Sequence, residues 1–304
     1  MPNGSNDLPY FSISQDLKDR FGGKIVKLSL DGGFTCPNRD GTKGIGGCSF
    51  CSPEGSGELA GGMDEQMSML SLKWPAAKGY IAYFQSHTNT YAPVARLRRL
   101  YEEALACPEI VGLAIATRPD CLSADVLDLL DDLNQRTFLW VELGLQTIHE
   151  SSAIQMNRAY PLSQYDETVA ALDRLHIRTV VHLILGLPGE SKQNMMESVR
   201  YVTRPLPSGK RIYGLKLHLL NVVKGSTLAR THPEYVSFGS PEEYIGLVCD
   251  LLPLIPAEIT IHRLTGDVPR KLLISPAWSY KKRTILNGIV HEMIRRGKIQ
   301  GCDV

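Results

Sequence analysis

Six short runs rich in β-branched and other apolar residues punctuate the chain: KIVKLSL (24–30), YIAYFQ (80–85), VGLAIAT (111–117), FLWVELG (138–144), TVVHLILG (179–186) and GLKLHLL (214–220). Stretches with helical periodicity lie between and after them, at 63–73, 93–106, 123–135, 163–176, 191–203 and 241–254, several opened by Ser, Asp or Pro. Strand-then-helix units in series call for a parallel sheet, because each crossover helix returns the chain to the same edge. The chain therefore reads as an α/β protein. Its 304 residues, 43% of them hydrophobic, suffice for one large core. If the sheet curls, the loops after the strand C-termini share one face, and function is expected there.

Directly after the first run comes TCPNRDGTKGIGGCSFC, with eleven residues between Cys36 and Cys48 and two between Cys48 and Cys51. A structural zinc site takes four protein ligands, commonly as two short-spaced pairs, and here only Cys48 and Cys51 form such a pair. A zinc site would need a remote His as its fourth ligand. A cubane iron–sulfur cluster held by three cysteines instead leaves one iron open to an exogenous ligand. Gly41, Gly44, Gly46 and Gly47 would let the backbone wrap closely and present amides to such a cluster, with Phe50 shielding one side. The other cysteines, Cys107, Cys121, Cys249 and Cys302, are scattered; the first three read as small buried hydrophobes, with Cys121 also considered as a thiol on the substrate side. A second cluster is not expected.

These residues carry a resemblance. The three cysteines with Phe50, followed by FQSHTNTYAP, ATRPD, VELGLQT, LILGLPGE and HRLTGD, resemble the radical S-adenosylmethionine (SAM) superfamily. Within it they resemble a bacterial family of about this length, related to the catalytic subunit of Elongator. The first cysteine gap is longer than the commonest spacing. Nothing corresponds to that subunit's acetyltransferase domain, so an acetyl-CoA reaction is not carried over. The resemblance implies a partial (βα)6 TIM-like barrel over 24–255, with an N-terminal extension at 1–23 and a basic C-terminal extension at 256–304. It further implies that Cys36, Cys48 and Cys51 ligate a 4Fe–4S cluster, at which SAM is cleaved to a 5′-deoxyadenosyl radical that abstracts hydrogen from substrate.

The resemblance also nominates SAM contacts. Gln85, Ser86 and Thr88 follow the second run, where the family places a polar loop for the methionine amino group; the Gly-Gly-Glu of many members is missing. Glu142 and Gln146 end the fourth run, at the place of ribose or methionine contacts, and a carboxylate suits a ribose diol. Gly186 and Gly189 of GLPGE would admit the adenine edge, and Arg158 offers a guanidinium fork to the SAM carboxylate. The bland reading of Glu142 is an ion pair with Arg118. His182 and His218 read as core or barrel-lining side chains. Arg263, Thr265 and Asp267 fall just after a late strand, as substrate contacts or a structural ion pair.

Partners follow from charge and from the resemblance. From Arg263 to Val304 there are nine Lys/Arg against three acids, so the first 262 residues carry −5 within the total of +1. A basic tail on an acidic body attracts polyanions, with Lys281, Lys282 and Arg283 foremost; its bland reading is a solvated helix face. With the resemblance this makes tRNA a candidate substrate, modified at the C5 side chain of the wobble uridine. The alternatives are a radical SAM enzyme on a small metabolite or peptide, and a non-enzymatic iron–sulfur or zinc protein. An external one-electron reductant of flavodoxin or ferredoxin type is implied. The N-terminus MPNGSNDLPYFSISQDL has neither a basic n-region nor a long apolar core, and no apolar run approaches a bilayer span. A soluble, cytoplasmic protein without a membrane partner is expected, its cysteines reduced.

Overall fold

The computed structural model describes residues 8–55 and 57–304; residues 1–7, part of the expected N-terminal extension, lie outside it. The elements run α1 (Ile13–Phe21), β1 (Ile25–Leu30), α2 (Met63–Lys73), β2 (Gly79–Phe84), α3 (Val94–Leu105), β3 (Ile110–Thr117), α4 (Ala124–Arg136), β4 (Phe138–Gln146), α5 (Glu150–Gln155) and α6 (Leu162–Arg174). They continue with β5 (Arg178–Leu185), α7 (Lys192–Val202), β6 (Gly214–Leu219), β7 (Val222–Val223), α8 (Thr227–Thr231), α9 (Pro241–Leu251), β8 (Thr260–Arg263), β9 (Leu273–Ser275) and α10 (Lys282–Arg295). Each of the six expected strands and helices is present, with ends shifted by a few residues. Several helices begin on a serine whose hydroxyl caps the first turn: Ser12 for α1, Ser191 with Asn194 for α7, and Ser240, followed by Pro241, for α9.

Seven strands form one parallel sheet in the order β1-β2-β3-β4-β5-β6-β8. The sheet is curled into a partial barrel, and its seventh strand comes from the segment read as a C-terminal extension. β8 lies parallel to β6, with Leu215 opposite Ile261. Pairing of strands so far apart in sequence leaves no local mark.

Side-chain alternation explains the two faces of the sheet. On β4, Leu139, Val141, Leu143 and Leu145 point outward into the main core with the helices, whereas Trp140 points inward. Ile25, Ile81, Ala114 and Val180 join Trp140 at the closed end of the barrel, and Ile13 and Leu17 of α1 pack among them. α1 therefore plugs the barrel floor. The residues before it reach β8, where Ile261 N donates to Phe11 O at 2.7 Å, and Tyr213 donates its hydroxyl to Asp16 at 2.6 Å. Later in the chain, α10 packs on α9, with Arg296 paired to Asp250 at 2.8 Å.

Candidate active site

The C-terminal ends of the strands surround a cavity of about 240 Å³. The cysteine loop forms one wall. It leaves β1 and is fastened to the segment after α5 through two asparagines: Asn38 Nδ2 donates to Asn157 O at 2.6 Å, and Asn157 Nδ2 donates to Ile45 O at 3.1 Å and Gly47 O at 2.8 Å. The same Asn38 amide lies 3.6 Å from Cys48 Sγ. Gly44 has to be glycine, because a Cβ there would lie 2.1 Å from Asn38 Oδ1. Further along, Ser49 N donates to Met156 O at 2.9 Å and Leu228 N to Ser49 O at 2.7 Å, which seats Phe50 against Met156, Leu187, Leu220, Val222 and Leu228.

Cys36, Cys48 and Cys51 all line the cavity, and none is in a disulfide. Among the described residues no three His, Cys, Asp or Glu converge as a cage for a single metal ion. A cubane cluster does not require that convergence, since each thiolate binds a different iron. Burial pushes the Cys48 thiol up to about 12, with Cys51 and Cys36 adding to the rise. A thiol buried in this way ionises only against compensating positive charge, which metal coordination supplies. The donor set therefore fits an iron–sulfur cluster. Arg118 adds a cation on the same wall, held by a forked ion pair to Asp120 at 2.9 and 3.0 Å and by a bond from Nη1 to Arg158 O at 3.0 Å.

The residues expected to contact SAM divide into two groups. Gln85, Thr88, Glu142 and Gln146 line the cavity with the three cysteines. Gln146 is held at φ +68°, and its buried Oε1 has no partner among the described residues. Such an unpaired acceptor on a strained residue is a usual mark of a ligand contact.

Ser86, Arg158, Gly186 and Gly189 are not in the cavity lining. Ser86 is buried against the segment that follows the cysteine loop, where a Cβ on Gly57 would meet its Oγ. Arg158 is 2% exposed, and its guanidinium is occupied by Tyr160 O at 3.0 Å, Leu145 O at 3.2 Å and Thr147 O at 2.6 Å. It pins the loop after β4. Gly186, at φ +84°, faces Phe238 and Ser237 so closely that a Cβ would clash, and Gly189 is a turn residue at φ +83°.

The pairing of Glu142 with Arg118, considered from the sequence, is corrected: Arg118 belongs to Asp120, and Glu142 belongs to a different group. Glu142 is fully buried and accepts from Trp140 Nε1 at 2.9 Å, from His182 Nε2 at 2.8 Å and from Lys216 Nζ. Lys216, 1% exposed, also donates to Tyr83 Oη at 2.9 Å. Burial would raise the Glu142 carboxyl, yet Lys216 and then His182 hold it well below its ordinary value. Burial lowers Lys216 to about 7 against the pull of Glu142. Sequence reading passed over Lys216, although the alternation in GLKLHLL places Lys216 and His218 together on one face and the leucines on the other.

His182 and His218 both line the cavity, with ring centroids 5.0 Å apart. Of the late motif, Arg263 and Asp267 line it, whereas Thr265 is buried behind it. Asp267 pairs with Lys282 at 2.5 Å and lies 3.9 Å from Arg263. Cys121 opens on a separate cavity beside Lys43 and Gln164, and burial followed by Asp120 pushes its thiol up to about 12.

The comparisons agree with this geometry. Residues 36–202 match the model of the radical SAM superfamily, and residues 212–295 match that of the radical SAM C-terminal domain. The chain belongs to the radical SAM superfamily, whose members are generally enzymes that use SAM and an iron–sulfur cluster. It is 44% identical over 309 residues to the uncharacterized protein YtqA of Bacillus subtilis, covering 99% of this chain and 94% of that one. A partial match, 30% over 164 residues, is to the tRNA uridine(34) acetyltransferase of Dehalococcoides mccartyi, covering 52% of this chain and 34% of that protein. The fold matches that of the archaeal Methanocaldococcus infernus Elp3 with an N-terminal deletion, at a TM-score of 0.67 and 16% identity, over 91% of this chain and 64% of that one.

Proposed function

We propose that this protein is a radical SAM enzyme that reductively cleaves SAM and uses the product radical to abstract hydrogen from a substrate. One observation carries the reading: three thiols, the Arg118 cation and Gln146, whose side-chain carbonyl has no partner among the described residues, line one cavity at the strand C-termini. In this reading Cys36, Cys48 and Cys51 hold a 4Fe–4S cluster, which supplies the electron for SAM cleavage when bound. Gln85, Thr88 and Gln146 orient SAM through polar contacts. Arg118 offsets negative charge beside the thiolates, and Phe50 with the leucines behind it excludes water from that side. The electron comes from a flavodoxin- or ferredoxin-type donor, and the protein works in the cytoplasm.

The substrate in this reading is tRNA, modified at the C5 side chain of its wobble uridine. Support comes from the match to a tRNA uridine(34) acetyltransferase and from the cations Arg270, Lys271, Lys281 and Arg283. All four are exposed, and no acid lies within ion-pair distance of them among the described residues. A second reading, a small metabolite or peptide substrate, is favoured by internal pairing of the other C-terminal cations: Lys282 with Asp267, Arg295 and Arg296 with Glu292, and Lys298 with Asp303.

Anaerobic reconstitution with iron and sulfide, then dithionite and SAM, tests the reaction class. 5′-Deoxyadenosine is expected from the protein and not from Cys48→Ala. A fully loaded protein that yields none, with the tRNA pool of a strain lacking the gene present, would return the chain to the structural or electron-transfer readings.

A further inference from the structure

Barrel interiors are ordinarily filled by layers of apolar side chains. Here the layer beneath the cavity is polar: Glu142 from β4, His182 from β5, Lys216 and His218 from β6, and Tyr83 from β2. Arg263 of β8 and Lys27 of β1 exert their charge on it. Burying charge there has a cost that packing alone does not call for.

The bonding in this layer sets a tautomer. The Glu142 carboxylate only accepts, so His182 Nε2 carries the hydrogen of the 2.8 Å bond between them. Neutral His182 then has a bare lone pair on Nδ1. Among the described residues Nδ1 has no hydrogen-bond partner, and the side chain is 18% exposed in the cavity lining. Both carboxylate oxygens of Glu142 are taken by protein donors, Oε1 by Trp140 and Oε2 by His182 and Lys216. Both residues line the cavity, but the carboxylate oxygens are already bonded, so the imidazole Nδ1 is the acceptor left to it. A base oriented by a buried carboxylate is a recurring arrangement for proton transfer.

We propose that His182 is a general base for the substrate, with Glu142 and Lys216 as positioning residues. This rests on the reading that hydrogen abstraction occurs in this cavity. A carbon radical next to an N–H or O–H group makes that group more acidic, so a base beside the substrate suits the chemistry. In the step, the heteroatom–hydrogen bond breaks with its electron pair left on the heteroatom. The proton bonds to His182 Nδ1, Glu142 bears the resulting imidazolium, and the proton later leaves to solvent. No oxidant or reductant is consumed in this step. Burial and then Lys216 lower the His182 imidazole to about 4, which keeps it neutral at working pH. The substrate class is thus one whose reacting carbon bears an ionisable N–H or O–H neighbour.

Two measurements on the reconstituted holoenzyme test this. In the first, ¹⁵N-histidine NMR, with His182→Gln for assignment, should show His182 neutral, protonated at Nε2 and bare at Nδ1 from pH 8 to pH 5. An Nδ1-protonated or charged His182 at pH 7 would overturn the proposal. In the second, His182→Gln should form 5′-deoxyadenosine from SAM within about twofold of the parent, while turnover of the tRNA pool falls by roughly 10²-fold. Equal loss of both would assign His182 to SAM binding, and equal retention would remove it from catalysis; either result overturns the proposal. Failure of the parent protein to make 5′-deoxyadenosine would defeat the radical reading itself, with the tautomer experiment still deciding whether His182 is set up as a base.

Discussion

The Lys216–Glu142 pair is the most demanding residue-level feature of the protein. Both groups are almost wholly removed from water, and their attraction repays desolvation only while both are present. Lys216→Met should therefore lower stability by about 3–5 kcal/mol, because it leaves Glu142 ionised with only His182 and Trp140 as donors. Adding Glu142→Gln should recover much of that loss. Urea midpoints of the two variants decide it: if the single change were harmless, Glu142 would not be held as a buried carboxylate. The position of Glu142 was legible from VELGLQ, but its partner was not. Arg118 is nearer in sequence, whereas Lys216 reaches Glu142 from β6, across the intervening β5, through the curl of the sheet.

Among the elements, α1 has the role least visible in the chain. It looks like a short amphipathic lead-in, yet Leu17, 2% exposed, fills the barrel floor beside Trp140 and Ile81. Leu17→Ala should cost about 2–5 kcal/mol, the usual range for emptying such a site. A urea midpoint equal to that of the parent would show that α1 merely rests on the sheet. The six strands and their crossover helices were readable because alternation and helical period are local properties. The short β7 and β9, which pair antiparallel, carry no such period and were missed. β8 was seen as a strand but not as a member of the main sheet, since nothing in EITIHRLTGD indicates that its neighbour is β6.

For the whole molecule, charge is the property that folding rearranges most. The C-terminal excess of basic residues is partly spent in ion pairs within the protein, and four of its cations are exposed without an acidic partner among the described residues: Arg270, Lys271, Lys281 and Arg283. If tRNA is the substrate, exchanging these four for glutamine should flatten the salt dependence of binding, each lost phosphate contact lowering the log–log slope by roughly 0.7–0.9. Exchanging the paired Arg295 and Lys298 should leave it nearly unchanged. Salt-insensitive binding by the parent protein would favour the small-substrate reading. Lys282, chosen from sequence as part of a basic trio, is better left alone, because it holds Asp267 at the cavity rim.

By itself the sequence determined the α/β class, the parallel order of six units, the three-cysteine loop and the face on which it lies, because strand alternation, helix period and cysteine spacing are all short-range. Only the tertiary structure decided which nominated side chains share the cavity. It put Gln85, Thr88, Glu142 and Gln146 in the cavity lining with the thiols and left Ser86, Arg158, Gly186 and Gly189 outside it. It also brought His182, Lys216 and Tyr83 around one carboxylate. The physical reason is the curl of the sheet: residues dozens of positions apart become neighbours when alternate side chains from several strands turn inward on a common axis, and that closure has no counterpart in any short window of sequence.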